Sequence, residues 1–293
     1  KQEALEQMEK AFALDNDDAR LLMELDLLYK LCGYSPWYRL SFLEKHTELV
    51  EKRHDLYMER IGLYNQLGDF ETARALIAER NFQPWEGGEG KIVLQYVTCH
   101  MELAKEALEN NQPEQAVALL ACLDQYPFNL GEGKLPGKPE NDLHYWKGRA
   151  LQLLKREDEA MEELKKAQAG DSTPLPAIFY NDPQPDNIFY QAKALQACGN
   201  KALAETICSN LVRFGEEHLN DDVKIDYFAV SLPELMVFDQ DLKEKNRVHC
   251  YYMAGLGHLG LGDKEKAKYC FTEVLKRDQN HLGAIVHQNC RLL

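Results

Sequence analysis

The chain has 293 residues, a formal net charge of −14 and 45% hydrophobic residues. That charge excludes nucleic acid as a partner, because the counterion-release term needs a basic surface, and it disfavours an anionic membrane. No apolar run approaches the ~20 residues of a membrane helix, so no membrane insertion is expected. In chain order, the opening KQEALEQMEKAF places Ala4, Met8 and Ala11 at the spacing of a buried helix face. The chain is therefore expected to begin inside a helical repeat. Residues 19–50 read as a further unit, with Asp26 and Tyr38 where small residues are wanted. Five clearer units follow. Each carries two residues twelve positions apart, small apart from Ile61: Ile61/Ala73, Ala104/Ala116, Gly148/Ala160, Ala192/Ala204 and Gly255/Ala267.

Four residues after each second member stands Ile77, Leu120, Leu164, Cys208 or Phe271. Three further on comes Arg80, Leu123, Ala167, Leu211 or Val274. This pattern describes two short antiparallel helices that cross closely where side chains are small, the unit of a repeat solenoid. Apolar residues recur at i, i+3, i+4 and i+7, and alternation of period two is scarce, so the predicted class is all-α. Gly68-Asp69, Gly199-Asn200 and Gly262-Asp263 each stop a first helix with a residue free to adopt positive φ.

These residues resemble the tetratricopeptide repeat. In the last unit Tyr251, Gly255, His258, Gly262, Ala267 and Phe271 fall on that motif's spacing, with His258 in place of the usual Tyr. In the first clear unit Tyr57, Tyr64, Gly68 and Ala73 match and Ile61 departs. The resemblance spans most of residues 54–280. It implies one right-handed superhelical α-solenoid over residues 1–293, of about six to seven helix pairs, with first helices on a concave face. The first small positions lie 43, 44, 44 and 63 residues apart, where the motif usually repeats every 34. Long inter-repeat loops on one edge are therefore predicted, and such insertions are often the binding face.

The first two inserts echo each other: PWEGGEGKI (84–92) and PFNLGEGKL (127–135). Glycines flanking Glu and Lys allow tight turns and close backbone approach. Glu89, Lys91, Glu132 and Lys134 are thus candidate ligand contacts, although duplicated repeats alone would duplicate their loops. The fourth insert contains DYFAVSLPELMVFDQDL (226–242), apolar and broken by Pro233. Laid across the groove, it would add Asp226 and Tyr227 to the candidate site. Neither GEGK loop is a phosphate-binding P-loop, since Trp85 and Phe128 stand where glycine is required and Ile92 and Leu135 replace the magnesium-holding Ser/Thr.

His100 and His144 occupy a position where an aromatic packs on the preceding helix, and packing is the expected role. His249 and His258 point to opposite sides of a helix, so no metal site is expected. No GxSxG is present, and the adjacent Cys99-His100 and His249-Cys250 pairs make no dyad. No catalytic residue and no cofactor are assigned. Eight cysteines without a CxxC, several at small-residue positions, suit a reducing, cytoplasmic compartment.

The inserts, with FYNDPQPDNIFYQ and DLKEKNRVHC, are similar to the C-terminal repeat region of large bacterial proteins in which a β-rich domain of unknown function precedes the repeats. That resemblance implies a C-terminal fragment of a longer polypeptide. The expected role is a scaffold without activity of its own. Its partner would be a protein, a peptide, the upstream domain of the same polypeptide or a polar small molecule. The alternative is the substrate-binding part of a carbohydrate-acting enzyme whose catalytic domain lies upstream.

Overall fold

The computed structural model describes residues 1–85, 87–176, 184–223 and 241–293, and all of its regular structure is helical. The stretch containing Asp226, Tyr227 and Pro233 lies outside the described residues. The chain forms two compact units.

The first unit comprises, among the described residues, 1–100 and 125–133. It contains α1 (Gln2–Leu14), α2 (Ala19–Leu31), α3 (Pro36–Glu44), the short α4 (Thr47–Val50), α5 (His54–Leu67) and α6 (Phe70–Glu79). Helix α1 packs on α2, and α5 packs on α3, α4 and α6. Ser35 caps α3 by accepting the Tyr38 N–H at 3.2 Å, with Pro36 in the first turn where its missing donor costs nothing. The crossing of α2 on α3 does not use a small–small contact. Asp26 pairs instead with Arg39, one residue past the expected Tyr38: Nε donates to Oδ1 at 2.9 Å and Nη2 to Oδ2 at 2.5 Å. Arg39 is fully buried and also reaches Glu59 at 2.8 Å. A buried bidentate pair holds this crossing, which is why the unit departs from the others in sequence.

The second unit takes in residues 101–124 and the rest of the described chain from 134 onward. Helix α7 (Lys91–Glu109) begins in the first unit and ends in the second. It is followed by α8 (Pro113–Ala121), α9 (Asn141–Leu153), α10 (Glu157–Lys166), α11 (Pro185–Ala197), α12 (Lys201–Glu217), α13 (Leu242–Gly260), α14 (Lys264–Arg277) and α15 (Leu282–Asn289). Within this unit α9 packs on α8, α10 and α11, while α11 packs on α12 and α13. Helix α13 packs on α12 and α14, and α15 closes on α14.

The predicted spacing positions lie in the core, except Arg80, which is half-buried and pairs with Glu51. Ile61, Ala73, Ala104, Ala116, Ala160, Ala192, Ala204 and Ala267 are all buried, as are Ile77, Leu120, Leu164, Cys208 and Phe271. The need for smallness is steric. A Cβ on Gly148 would stand 2.7 Å from Leu164 Cγ, and one on Gly255 2.7 Å from Phe271 Cε1. Gly68, Gly199 and Gly262 take the left-handed conformation at the turns, with φ of 84°, 89° and 82°. At the two equivalent turns Asn111 and Lys155 adopt φ of 57° and 58° without glycine's freedom. No described helix is long and apolar enough to cross a membrane.

Candidate functional site

The two echoed inserts are held by their own backbone partners. In the first unit, Phe82 N–H donates to the Asn129 carbonyl at 2.7 Å, and Asn129 Nδ2 donates to the Ile77 and Arg80 carbonyls at 2.7 and 3.0 Å. The second insert thereby satisfies carbonyls left open at the end of α6. Gly131 is required there, since a Cβ would lie 2.5 Å from the Phe82 carbonyl oxygen. Glu132 Oε2 accepts the Gly90 N–H at 2.7 Å, placing a carboxylate at the start of α7, where the helix dipole favours it. In the second unit, Lys134 Nζ donates to the Leu123 and Asp124 carbonyls beyond α8 and pairs with Glu140 at 2.7 Å. Glu89 is exposed, and Lys91 opens α7 half-exposed. Of the candidate contacts, then, Glu132 and Lys134 have these internal partners, and Lys91 is not free either.

The histidines are also partnered. His100 Nδ1 lies 2.9 Å from the Tyr96 carbonyl, and its ring stacks 4.1 Å from that of Tyr96. His144 Nδ1 lies 2.7 Å from Glu163 Oε2. His249 Nε2 lies 3.0 Å from the Leu175 carbonyl. Among the described residues no group of three His, Cys, Asp or Glu is placed to hold a metal.

A different feature gathers charge and space in one place. Three successive repeats of the second unit carry a cation immediately after the first small residue: Lys105 after Ala104, Arg149 after Gly148 and Lys193 after Ala192. The small residue faces its own second helix, so the next residue turns about 100° away from it. The three cations do not have equal surroundings. Three residues before Lys105 stands Glu102, and its Oε1 holds the buried Lys105 Nζ at 2.5 Å. The same ammonium lies 5.5 Å over the Trp146 ring. Burial opposes the charge of Lys105, but Glu102, together with Cys290 and Asp142 nearby, holds its pKa above the usual lysine range. Three residues before Arg149 and Lys193 stand Trp146 and Tyr190, which offer no counter-charge. Among the described residues neither cation has a carboxylate at ion-pair distance.

Arg149 and Lys193 line a cavity of about 260 Å³ with Tyr145, Gln196, Ala197 and Leu292. Burial and the neighbouring guanidinium of Arg149 pull the Lys193 ammonium below the usual lysine range. Two like charges lining one cavity can attract a carboxylate or phosphate. The one aromatic floor residue is Tyr145, which packs edge-on to the buried Trp146 at 5.0 Å and lies 5.5 Å from the buried Tyr190.

Behind this floor, α15 inserts His287 among Phe189, Tyr190, Tyr252 and Phe271, with ring centroids 5.7 to 6.4 Å away. Nδ1 lies 2.8 Å from the Gly283 carbonyl, which can only accept, so Nδ1 carries the proton. Nε2 is buried without a partner. Burial, reinforced by the Lys105 charge, pushes the imidazole down to about 3, so it is neutral. The chain then continues over the site: Arg291 N–H donates to Glu109 Oε1 at 3.3 Å, and Leu292 lines the cavity.

The fold and the repeated first-helix positions define a helical-repeat protein of the kind that presents one face to a partner. The tetratricopeptide-repeat family model matches residues 142–169 and 248–281, which correspond to α9 with α10 and α13 with α14. The chain is similar to that family over both stretches, and the cavity residues Tyr145 and Arg149 lie in the first of them.

Proposed function

We propose that the second unit is a scaffold module that binds an extended acidic segment of a protein partner, with carboxylates seated on Arg149 and Lys193. The observation that carries this reading is the pair of unneutralised cations lining one cavity in a chain of net charge −14. A protein so acidic repels acidic partners at long range, so local cations must supply the attraction within about a Debye length of 8–10 Å. Similarity to tetratricopeptide repeats supports a protein partner. The buried Tyr145–Trp146 pair braces the helix that carries Arg149.

The test uses fluorescein-labelled hexaglutamate, hexaglutamine and hexalysine in anisotropy titrations at low and physiological salt. Hexaglutamate should bind best and weaken with salt. Arg149→Glu and Lys193→Glu should each weaken it by about tenfold or more, the size of roughly 1.4 kcal/mol. Equal binding of hexaglutamate and hexaglutamine, or indifference to both charge reversals in folded protein, refutes the reading.

A further inference from the structure

Lys193 is half-buried on α11 between the buried Ala192 and Ala194, and it lines the cavity with Arg149, which is exposed there. One turn to either side on the same helix stand Phe189, Tyr190, Gln196 and Ala197, none of them a carboxylate. Glu102 holds the Lys105 ammonium, whereas no described carboxylate lies at ion-pair distance of Lys193. The groups that face Lys193 from other elements are Arg149 of α9, Cys208 of α12, Lys264 of α14 and Cys290. Burial pushes the Cys208 thiol up to about 11 and the Cys290 thiol upward, so both are uncharged near neutral pH. Of these groups only the two cations are then charged, and together with burial they favour the free amine.

We propose that Lys193 is a nucleophilic amine that forms a reversible imine with a small aldehyde carrying a carboxylate or phosphate, whose anion is held by Arg149. A lysine that sheds its proton gains a lone pair, while a guanidinium beside it keeps its charge at any physiological pH. The Lys193 nitrogen forms a bond to the aldehyde carbon, and the carbonyl π pair passes to oxygen. That oxygen leaves as water with the two hydrogens of the amine, and no oxidant or reductant is consumed.

The cavity of about 260 Å³ far exceeds the ~10–15 Å³ that one water requires, so a molecule of a few carbons fits. The inference shares Arg149 and Lys193 with the acidic-segment reading above and adds a covalent function to that site. A carboxylate seated beside Lys193 restores its proton, so an acidic segment and an aldehyde are alternative occupants.

The probe is glyoxylate, compared with uncharged propionaldehyde, each reduced onto the protein with cyanoborohydride at neutral pH and mapped by peptide mass spectrometry. Glyoxylate should mark Lys193 several-fold faster than the other lysine side chains of the same digest, and propionaldehyde should show a smaller preference. Gln196→Glu is isosteric, lies at an exposed position and places a carboxylate one turn from Lys193, so it should slow the labelling several-fold. Arg149→Gln should bring the glyoxylate-to-propionaldehyde ratio at Lys193 down to that of exposed lysines. Helical circular dichroism checks that both variants are folded. Labelling of Lys193 no faster than that of exposed lysines, equal preference for both aldehydes, or indifference to Gln196→Glu overturns the proposal. Hexaglutamate binding without a selective Lys193 adduct overturns the imine and leaves the acidic-segment reading standing. A selective adduct in protein that does not bind hexaglutamate supports the imine and overturns that reading alone.

Discussion

Replacing His287 by Phe should remove an acid sensitivity of definable size from the second unit. The ring lies 4% exposed among Phe189, Tyr190, Tyr252 and Phe271, with Nδ1 on the Gly283 carbonyl and Nε2 unpartnered. Its folded pKa is pushed down to about 3 from the ordinary 6.5, so the unfolded chain takes up a proton first as pH falls. Stability is therefore full above 6.5 and is lost progressively between 6.5 and about 3. Each pH unit inside that window costs about 1.4 kcal/mol, so His287 should cost about 2 kcal/mol at pH 5 and about 3 kcal/mol at pH 4, relative to pH 8. His287→Phe forfeits the hydrogen bond to Gly283, worth about 1 kcal/mol, and relieves a buried acceptor costing about 1–3 kcal/mol, so near-neutral pH the two proteins should be nearly equal. Urea unfolding followed by Trp146 fluorescence, with Trp37 and Trp85 changed to Phe, reads the second unit alone. The difference in stability between the His287→Phe variant and its parent should grow in favour of the variant as pH drops from 7.5 to 4.5. A difference that stays flat over that range, or an imidazole proton resonance of His287 that titrates near 6.5, would refute the burial argument.

Asp186 titrates in the opposite sense. Burial and the nearby Asp142 push its carboxyl up to about 6 from 3.8, so its charge costs stability fully above about pH 6 and not at all below 3.8. Asp186→Asn should stabilise by up to about 3 kcal/mol at pH 7.5 and add nothing at pH 3.5, as read by urea midpoints at the two pH values. In the first unit, Arg39→Ala strands the buried Asp26 and should cost about 3–5 kcal/mol, whereas the double change Asp26→Leu with Arg39→Met should recover most of that loss; denaturant titration decides. Lys155 holds φ of 58° at the α9–α10 turn, where equivalent turns use glycine. Lys155→Gly should therefore raise stability by about 0.5–1 kcal/mol, visible as a higher melting temperature.

The sequence makes the helix pairs legible because their packing is steric. Gly148 and Gly255 have to be small where Leu164 and Phe271 arrive, and those positions stand at a constant spacing that can be read directly. The turn glycines are legible for the same local reason. The α2–α3 crossing is not, because Arg39 and Asp26 do there by ion pairing what small residues do elsewhere, and the partner falls one residue away from the spacing rule. The GEGK echo is visible, but its partners are not. Glu132 meets an amide 42 residues away, and Lys134 meets carbonyls that α8 leaves open, and no local pattern encodes either. The cations at 105, 149 and 193 do carry a readable signal, one basic residue after each small one in three consecutive repeats. Which of them is neutralised also follows from the residue three positions earlier. The chain crossing at Arg291 and Leu292 belongs to no repeat and has no such signature.

That three-residue relation explains how one repeated position serves two purposes. On a helix, residues i and i+3 are neighbours, so Glu102 and Lys105 close on each other at 2.5 Å and both are buried. In the next two repeats the earlier position is Trp146 and then Tyr190, and the cation loses its local counter-ion but keeps its place on the face. Trp146 has a second contact: it lies under the Lys105 ammonium of the preceding repeat and packs against Tyr145, which lines the cavity. An aromatic at this position thus strengthens the buried cation behind it and leaves unpaired the cation ahead. Repetition of the backbone sets where the charges stand. A single change from carboxylate to aromatic decides whether such a charge is spent inside the fold, as at Lys105, or left facing the cavity, as at Arg149 and Lys193.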